Sequence, residues 1–448
     1  WSSDVCSSDL LNKIRKRKAG NPMKKLLSLL LAILTVLSLC TFAVAEEEPY
    51  TITYISSDSA SSGKMMAFEE VVAMYKELHP NFNMEIEYIP ERSAFLQKIK
   101  ILGANDELPD WFNADPDNYI EELTNAGKLV DMEALYEELG VSDKFYNISK
   151  DYARLNDGRL SLMTLQCNAE YFFYNKNIFA AAGIEKTPET IDEFLEVCEK
   201  IYQAGYTPLT IGDVTGGMFM RYMAFIPFRM TANNFIEQAC AGTVKFSDEP
   251  GMLAAEFMSK IGKYMPEGFT TSDYDTFVNL FASGECAMMY NGTWVLETLL
   301  DENNNLREEF GVFTMPKYTE NDVTGASDYF ANSGIGIAIL QDSMCDEMKD
   351  FLKFFFAEFP NVMLSKYNSI PSLAPAEEVV AAAPAIYQRV IKDATEVNIF
   401  AKCWDVVIDT ASLDTLNSET VNLALGVITP EEWAAIMDET IAQNVLGA

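Results

Sequence analysis

The sequence predicts an α/β protein built from two domains, and three observations lead there. The chain has 448 residues, 49% of them hydrophobic and 12% aromatic. That is enough for a sizeable core and, at roughly 100–200 residues per domain, for two units rather than one. From Tyr50 onward, short β-branched and aromatic runs alternate with longer runs carrying apolar residues at helical spacing. No solenoid-length repeat, low-complexity tract or long Pro-, Gly- or Ser-rich linker interrupts this alternation, so the domains are expected to be joined by strands crossing directly between them.

In chain order, residues 1–22, with the basic run Lys13–Lys18, stand ahead of a segment that reads as a signal peptide. They make no sense in a secreted domain and are read as non-native upstream sequence. Residues 23–45 are that signal peptide. Met23, Lys24 and Lys25 form a charged start, Leu26–Leu39 an apolar stretch too short for a membrane span, and Ala43-Val44-Ala45 a small-residue cleavage site. Cleavage is expected after Ala45. A lipidated Cys40 is the rival reading, disfavoured because Leu39 stands where that signal takes a small side chain.

Tyr50–Ile55 alternates and reads as a strand, Ser56–Gly63 as a polar loop, Lys64–Leu78 as a helix with Met65, Phe68, Val72, Tyr75 and Leu78 on its apolar spacing, and Asn83–Ile89 as a second strand. This β-loop-α-β unit is followed by similar alternation through Pro109–Phe112 and Tyr119–Ala126, which predicts largely parallel strands. Thr187–Phe194 reads as a capped helix start with Pro188 in the first turn. Later, a helix ending at Gly284, a strand Cys286–Tyr290 and the turn Asn291-Gly292-Thr293 deliver Trp294 at a strand end. In open α/β sheets ligands settle at such ends, which also points to the loop after the first strand.

Charge and chemistry exclude several classes. With 33 Lys/Arg against 67 Asp/Glu the chain carries −34, and losing residues 1–45, which hold seven of the basic and two of the acidic side chains, leaves −39. Nucleic acid and anionic membrane surfaces would be repelled. The six cysteines Cys167, Cys198, Cys240, Cys286, Cys345 and Cys403 contain no Cys-x-x-Cys pair; they read equally as disulfide partners of unknown connectivity or as small buried hydrophobes. His79 is the single histidine, so multi-histidine zinc sites are excluded, and a serine triad would lack a Gly-x-Ser-x-Gly elbow. No metal, cofactor or catalytic residue is expected.

Four segments carry a resemblance. The first is Leu108–Asp115 with Ile120–Leu123 and Ala126–Asp131; the second is Tyr171–Phe179, containing Tyr174-Asn175-Lys176, then Ala182–Ile184 and Thr187–Phe194. The third is Phe281–Trp294, ending in Asn291-Gly292-Thr293-Trp294, and the fourth is Phe310–Pro316 with Ala331–Ile339. In order and spacing, behind a signal peptide, they resemble family 1 extracellular solute-binding proteins, the maltose-binding-protein-like capture components of bacterial ABC importers, over most of residues 50–360. The resemblance implies a periplasmic-binding-protein-like fold: two α/β lobes joined by a multi-crossing hinge with the ligand cleft between them. It places crossings near Leu165–Asn168, Ser327–Asn332 and Tyr367–Leu373, an N-terminal lobe of 46–166 plus 330–368, and a C-terminal lobe of 167–329 plus 369–448.

It also implies a small-molecule ligand, a sugar or oligosaccharide, handed to permease subunits in the membrane by a monomer. Ser57, Asp58, Asn113 and Asp115 follow strands and could accept sugar hydroxyls, with helix capping as the alternative. Gln166, Asn168, Glu170 and Tyr171 line the first crossing; Phe219, Asn332, Ser333 and Trp404 are candidates by position. Trp294 could stack on a sugar ring, with core packing as the alternative. Against that resemblance, the segment after Asp110 has polar Asn113 and Asp115 where relatives often offer an extra aromatic, which puts the number of stacking platforms in doubt, and the loop Ser56–Gly63 lacks the aromatic often found after the first strand, which could mean a smaller or more polar ligand.

Two other classes are weighed. A secreted glycoside hydrolase needs two carboxyls roughly 5–9.5 Å apart, for which Asp115 and Glu170 are the nominees. A calcium-dependent adhesion protein is prompted by Asn113-x-Asp115-x-Asp117, but that stretch lacks the Gly and Glu of an EF-hand loop.

Overall fold

Alternating runs become strands and helical-spacing runs become helices that cover them. The structure, a computed structural model, describes residues 50–212 and 218–447. The signal peptide 23–45, cleavage after Ala45, Cys40 and the upstream residues 1–22 lie outside the described residues, as do Gly216 and Gly217. Described strands, in chain order, are β1 Tyr50–Ser56, β2 Phe82–Tyr88, β3 Trp111–Ala114, β4 Leu162–Met163, β5 Asn168–Asn175, β6 Thr207–Thr210, β7 Cys286–Gly292, β8 Phe310–Phe313, β9 Tyr329–Asn332, β10 Gly336–Ile339 and β11 Phe400–Ala401.

Two sheets divide these strands and form the two α/β lobes. One has the order β2-β1-β3-β10-β4, the other β11-β9-β5-β7-β6 with β8 also on β5. Parallel pairing holds for β1/β3, β6/β7 and β9/β11. Antiparallel pairing holds for β10 with β3 and β4, and for β5 with β7, β8 and β9. The largely parallel sheet expected from β-loop-α-β alternation is thus corrected to a mixed one. β5 and β10 are the strands that enter directly from the other lobe, and they run against their neighbours.

Each lobe has its own aromatic core. In the first, Tyr54, Phe68 and Trp111 meet at centroid distances of 5.6–6.2 Å, and Phe355 of the long helix Asp346–Tyr367 closes on Phe68 at 5.1 Å. In the second, Phe172 of β5 stacks on Phe313 at 5.0 Å and meets Phe194 and Tyr290. The six cysteines are free thiols, four of them buried, so the small-hydrophobe reading fits them.

The chain changes sheet between β4 and β5, between β9 and β10, and after helix Asp346–Tyr367. β9 stays in the second sheet through Asn332, beyond the expected start of the returning lobe at residue 330. Two of the crossings are hydrogen-bonded to each other: Cys167 N–H donates to the Ile370 carbonyl at 3.0 Å and Ser372 N–H to the Leu165 carbonyl at 3.1 Å. Between β9 and β10, Gly334 has φ +66°, and a Cβ there would lie 2.4 Å from Gln166 Nε2. Only glycine suits both the backbone and this approach.

Capping corrects one detail. Thr190, not Thr187, caps the helix Ile191–Gln203, its hydroxyl accepting from Glu193 N–H at 3.2 Å, so Pro188 precedes the helix. Asp117 caps helix Asn118–Asn125 by accepting from Ile120 N–H at 3.0 Å, which accounts for the third residue of the calcium-like triplet.

Candidate functional site

The space between the lobes contains two cavities. The smaller, about 550 Å³, is lined from the first lobe by Asp58 and Lys64, from the crossings by Gln166, Asn168 and Ser369, and from the second lobe by Trp294 and Tyr387. The larger, about 1300 Å³, has Asp115 and Tyr152 on one side and Asn233 and Lys402 on the other. Both volumes are in or above the range of small-molecule sites.

Trp294 is placed by the strand before it. β7 ends at Gly292, where a Cβ would lie 2.0 Å from the indole, so glycine is what lets the ring fold back against the strand end. The ring is half-buried, lines the smaller cavity and lies 6.0 Å from the Arg221 guanidinium. Beneath it, Thr293 donates to Asn168 Oδ1 at 3.1 Å, while Asn168 Nδ2 is buried with no partner. An unpaired buried amide next to a cavity is a group built to meet something.

Glu170 lies one layer deeper. Arg221 Nε donates to its Oε1 at 3.0 Å and Arg221 Nη1 to Asp405 Oδ2 at 3.3 Å. Burial pushes the Glu170 carboxyl above the usual carboxylate range, with Arg221 opposing. Arg221 loses hydration too, but the two carboxylates hold its pKa well above the ordinary value.

Of the sequence candidates, the structure brings Asp58, Gln166, Asn168 and Trp294 together around the smaller cavity. Asp58 forms an ion pair with Lys64 at 2.7 Å. Asp115 faces the larger cavity and is ion-paired with Arg92. Asn113 is corrected to a structural staple: its Oδ1 accepts from Ser57 N–H at 2.8 Å and Tyr54 OH at 3.2 Å, and its Nδ2 donates to the Gly336 carbonyl, so its capacity is spent holding β1, β3 and β10. Ser57 takes part through that same N–H. Asn332 Oδ1 accepts from Gly334 N–H at 2.7 Å and shapes the crossing, and Ser333 is fully buried there with an unpartnered hydroxyl.

Three aromatic candidates are corrected to core residues, because their rings have no open face. Phe219 packs on Phe269, Trp404 on Phe235 and Phe246, and Tyr171, whose hydroxyl donates to Asp393 at 2.6 Å, lies under Arg389. The hydrolase nominees are corrected as well. Glu170 is shut in against Arg221 and cannot flank a glycosidic bond opposite Asp115.

Sequence reasoning missed Arg221, Asp405, Tyr152 and Lys402. Arg221 left a trace, being a charged residue inside the otherwise apolar run Met218–Phe228. Asp405, Tyr152 and Lys402 left none, since only the fold brings Tyr152 and Lys402 to the larger cavity and Asp405 to Arg221.

The family model for bacterial extracellular solute-binding proteins matches residues 59–358. The chain belongs to that family. The multiple sugar-binding protein of Streptococcus mutans is 24% identical over 63% of this chain and 67% of its own length. The maltotriose-binding protein of Pyrococcus abyssi is 22% identical over 65% of this chain and 60% of its own. These matched stretches span about two thirds or less of either relative. Among solved structures, a chitin oligosaccharide binding protein superposes with a TM-score of 0.71 at 21% identity, covering 89% of this chain and 99% of its own; at that identity the likeness speaks for the fold. Members of such a family are extracellular binding proteins rather than enzymes, and among the described residues no helix is long and apolar enough to cross a membrane.

Proposed function

We propose that this chain is the extracellular solute-binding component of an ABC importer, capturing a sugar or oligosaccharide and delivering it to a membrane permease without chemical turnover. The observation that carries the reading is the inter-lobe cavity where the half-buried Trp294 adjoins the unpaired amide of Asn168, a stacking face beside a hydrogen-bonding group. The sugar-binding names of its relatives point the same way. Ligand touching both lobes stabilises the closed form by its differential affinity for that form, and the closed face docks on the permease. Residues 23–45 then serve as the secretory signal, the mature chain begins at Glu46 and works as a monomer, and the lobes are 46–166 plus 333–368 and 167–332 plus 369–448, the boundary moved past β9.

The test is a thermal-shift screen of residues 46–448 against mono- and oligosaccharides, with each mixture assayed for product. A binder present at 100 times its Kd adds about 2.7 kcal/mol and raises the melting temperature. A rise for one sugar class without product is expected. Product formation would overturn the reading in favour of a hydrolase, and silence across the panel would remove carbohydrate as the ligand.

A further inference from the structure

Buried polar groups without a partner are few in a folded protein, and each needs an explanation. Of those among the described residues, two belong to the wall of the smaller cavity: Asn168 Nδ2 and the Tyr387 hydroxyl. Asn168 is 7% exposed and Tyr387 1%. They come from different elements, Asn168 from the start of β5 and Tyr387 from the helix Ala385–Glu396, which lies beyond the residues matched by the family model. Trp294 lines the same cavity.

The two groups ask for the same thing. Asn168 Oδ1 already accepts from the Thr293 hydroxyl, so what this side chain has left is an N–H donor. Burial pushes the pKa of the Tyr387 hydroxyl up and Glu297, on the same cavity, adds to the rise, so the phenol keeps its proton and can donate as well. Donors need an acceptor, which an ammonium is not. The described cations lining the cavity, Lys64 and Lys366, are already paired with Asp58 and Glu70, so an anionic acceptor would meet no uncommitted positive charge there, while Glu297 and Asp301 would repel it. A neutral oxygen, of a hydroxyl, an acetal or an acyl group, meets neither objection.

We infer that Tyr387 is a specificity-determining residue of this cleft, its hydroxyl donating together with Asn168 Nδ2 to an uncharged oxygen of a saccharide whose ring lies against Trp294. This rests on the sugar-capture reading and adds to it a contact residue from outside the family-matched stretch and the charge class of the solute. A buried hydroxyl with no partner costs free energy in the ligand-free protein, so the fold gains nothing from it that a phenylalanine ring would not supply. Its removal therefore separates binding from stability.

The test compares Tyr387→Phe with the unaltered chain, both as residues 46–448, by isothermal titration and by urea unfolding. The panel is glucose, galactose, xylose, maltotriose, raffinose, xylotriose and N,N′-diacetylchitobiose, with glucosamine, galactosamine, glucuronate and galacturonate as its charged members. The tightest-binding sugar is expected to be neutral, Tyr387→Phe to weaken it roughly three- to tenfold, and the urea midpoint to stay in place or rise. Equal affinity in the variant overturns the role of Tyr387. Weaker binding accompanied by a lowered midpoint means that the hydroxyl holds the fold, and overturns it too. An amino sugar or uronate binding tighter than every neutral member overturns the uncharged acceptor. Silence of the unaltered chain towards the whole panel overturns the capture reading and this inference together.

Discussion

Two arginines on one helix, Met218–Thr231, are buried about two turns apart and live in opposite ways. Arg229 is wrapped in oxygen from the chain itself. Its Nε donates to the Pro316 carbonyl at 3.1 Å, its Nη1 to Thr324 Oγ1 at 2.9 Å and to the Gly325 and Asp328 carbonyls, and its Nη2 to the Met315 carbonyl. Arg221 is bound instead to two carboxylates, of which Asp405 keeps a second oxygen without a partner while the Tyr290 hydroxyl acts on Glu170. One arginine completes a structure; the other sits among groups left incomplete beside a cleft. The two differ in whether the chain itself supplies every partner of a buried charge.

Breaking the satisfied arginine should have the larger effect on stability. Arg229→Met strands several buried oxygens at once and is expected to cost about 3–5 kcal/mol in urea unfolding, while sugar selectivity among surviving molecules stays as it was. Next comes the indole beside Arg221. Gly292→Ala puts a methyl into the Trp294 ring, with an expected loss of about 1–3 kcal/mol, a shift of tryptophan fluorescence and weaker ligand binding in the same sample. Unchanged fluorescence and affinity would mean that the ring is not held as described.

The smallest effect sharpens the comparison through pH. The folded pKa of Glu170 is raised, chiefly by burial, above its ordinary 4.5, so the folded state holds a proton that the unfolded state gives up. Its contribution to stability is therefore full below pH 4.5 and declines as pH rises through the folded pKa. Glu170→Gln should flatten the stability profile over that window, measured as the urea midpoint across pH, whereas a variant at Arg229, which faces carbonyls, should leave the slope in place.

How far the sequence announced all this differs from element to element. The first strand and helix were expected at Tyr50–Ile55 and Lys64–Leu78 and occur at Tyr50–Ser56 and Gly63–Leu78, because alternation and helical spacing are local patterns that burial on one face enforces. Trp294 was legible for the same reason, delivered by a strand and a glycine turn adjacent in the chain. The parallel pairing was misjudged because β5 and β10 take their direction from the crossings, which no window of sequence reveals. Trp404 and Phe219 were chosen as aromatics near the right segments, yet a ring's position along the chain does not say which way it faces. Glu170, Arg221 and Asp405 come from three distant parts of the chain and meet only in the folded lobe. Of the three, Arg221 alone carried a clue, in being charged among apolar neighbours.

The two crossings that hydrogen-bond to each other, 165–167 against 370–372, have a mechanical consequence. A paired ribbon flexes across its flat face far more readily than it slides along its length, since sliding would break every rung together. Such a strap lets the lobes swing like the covers of a book while fixing the spine, so Gln166 and Asn168 keep their height in the cleft at every angle of opening. A solute would then find the same spine at any opening, and the covers would add their contacts as they fold.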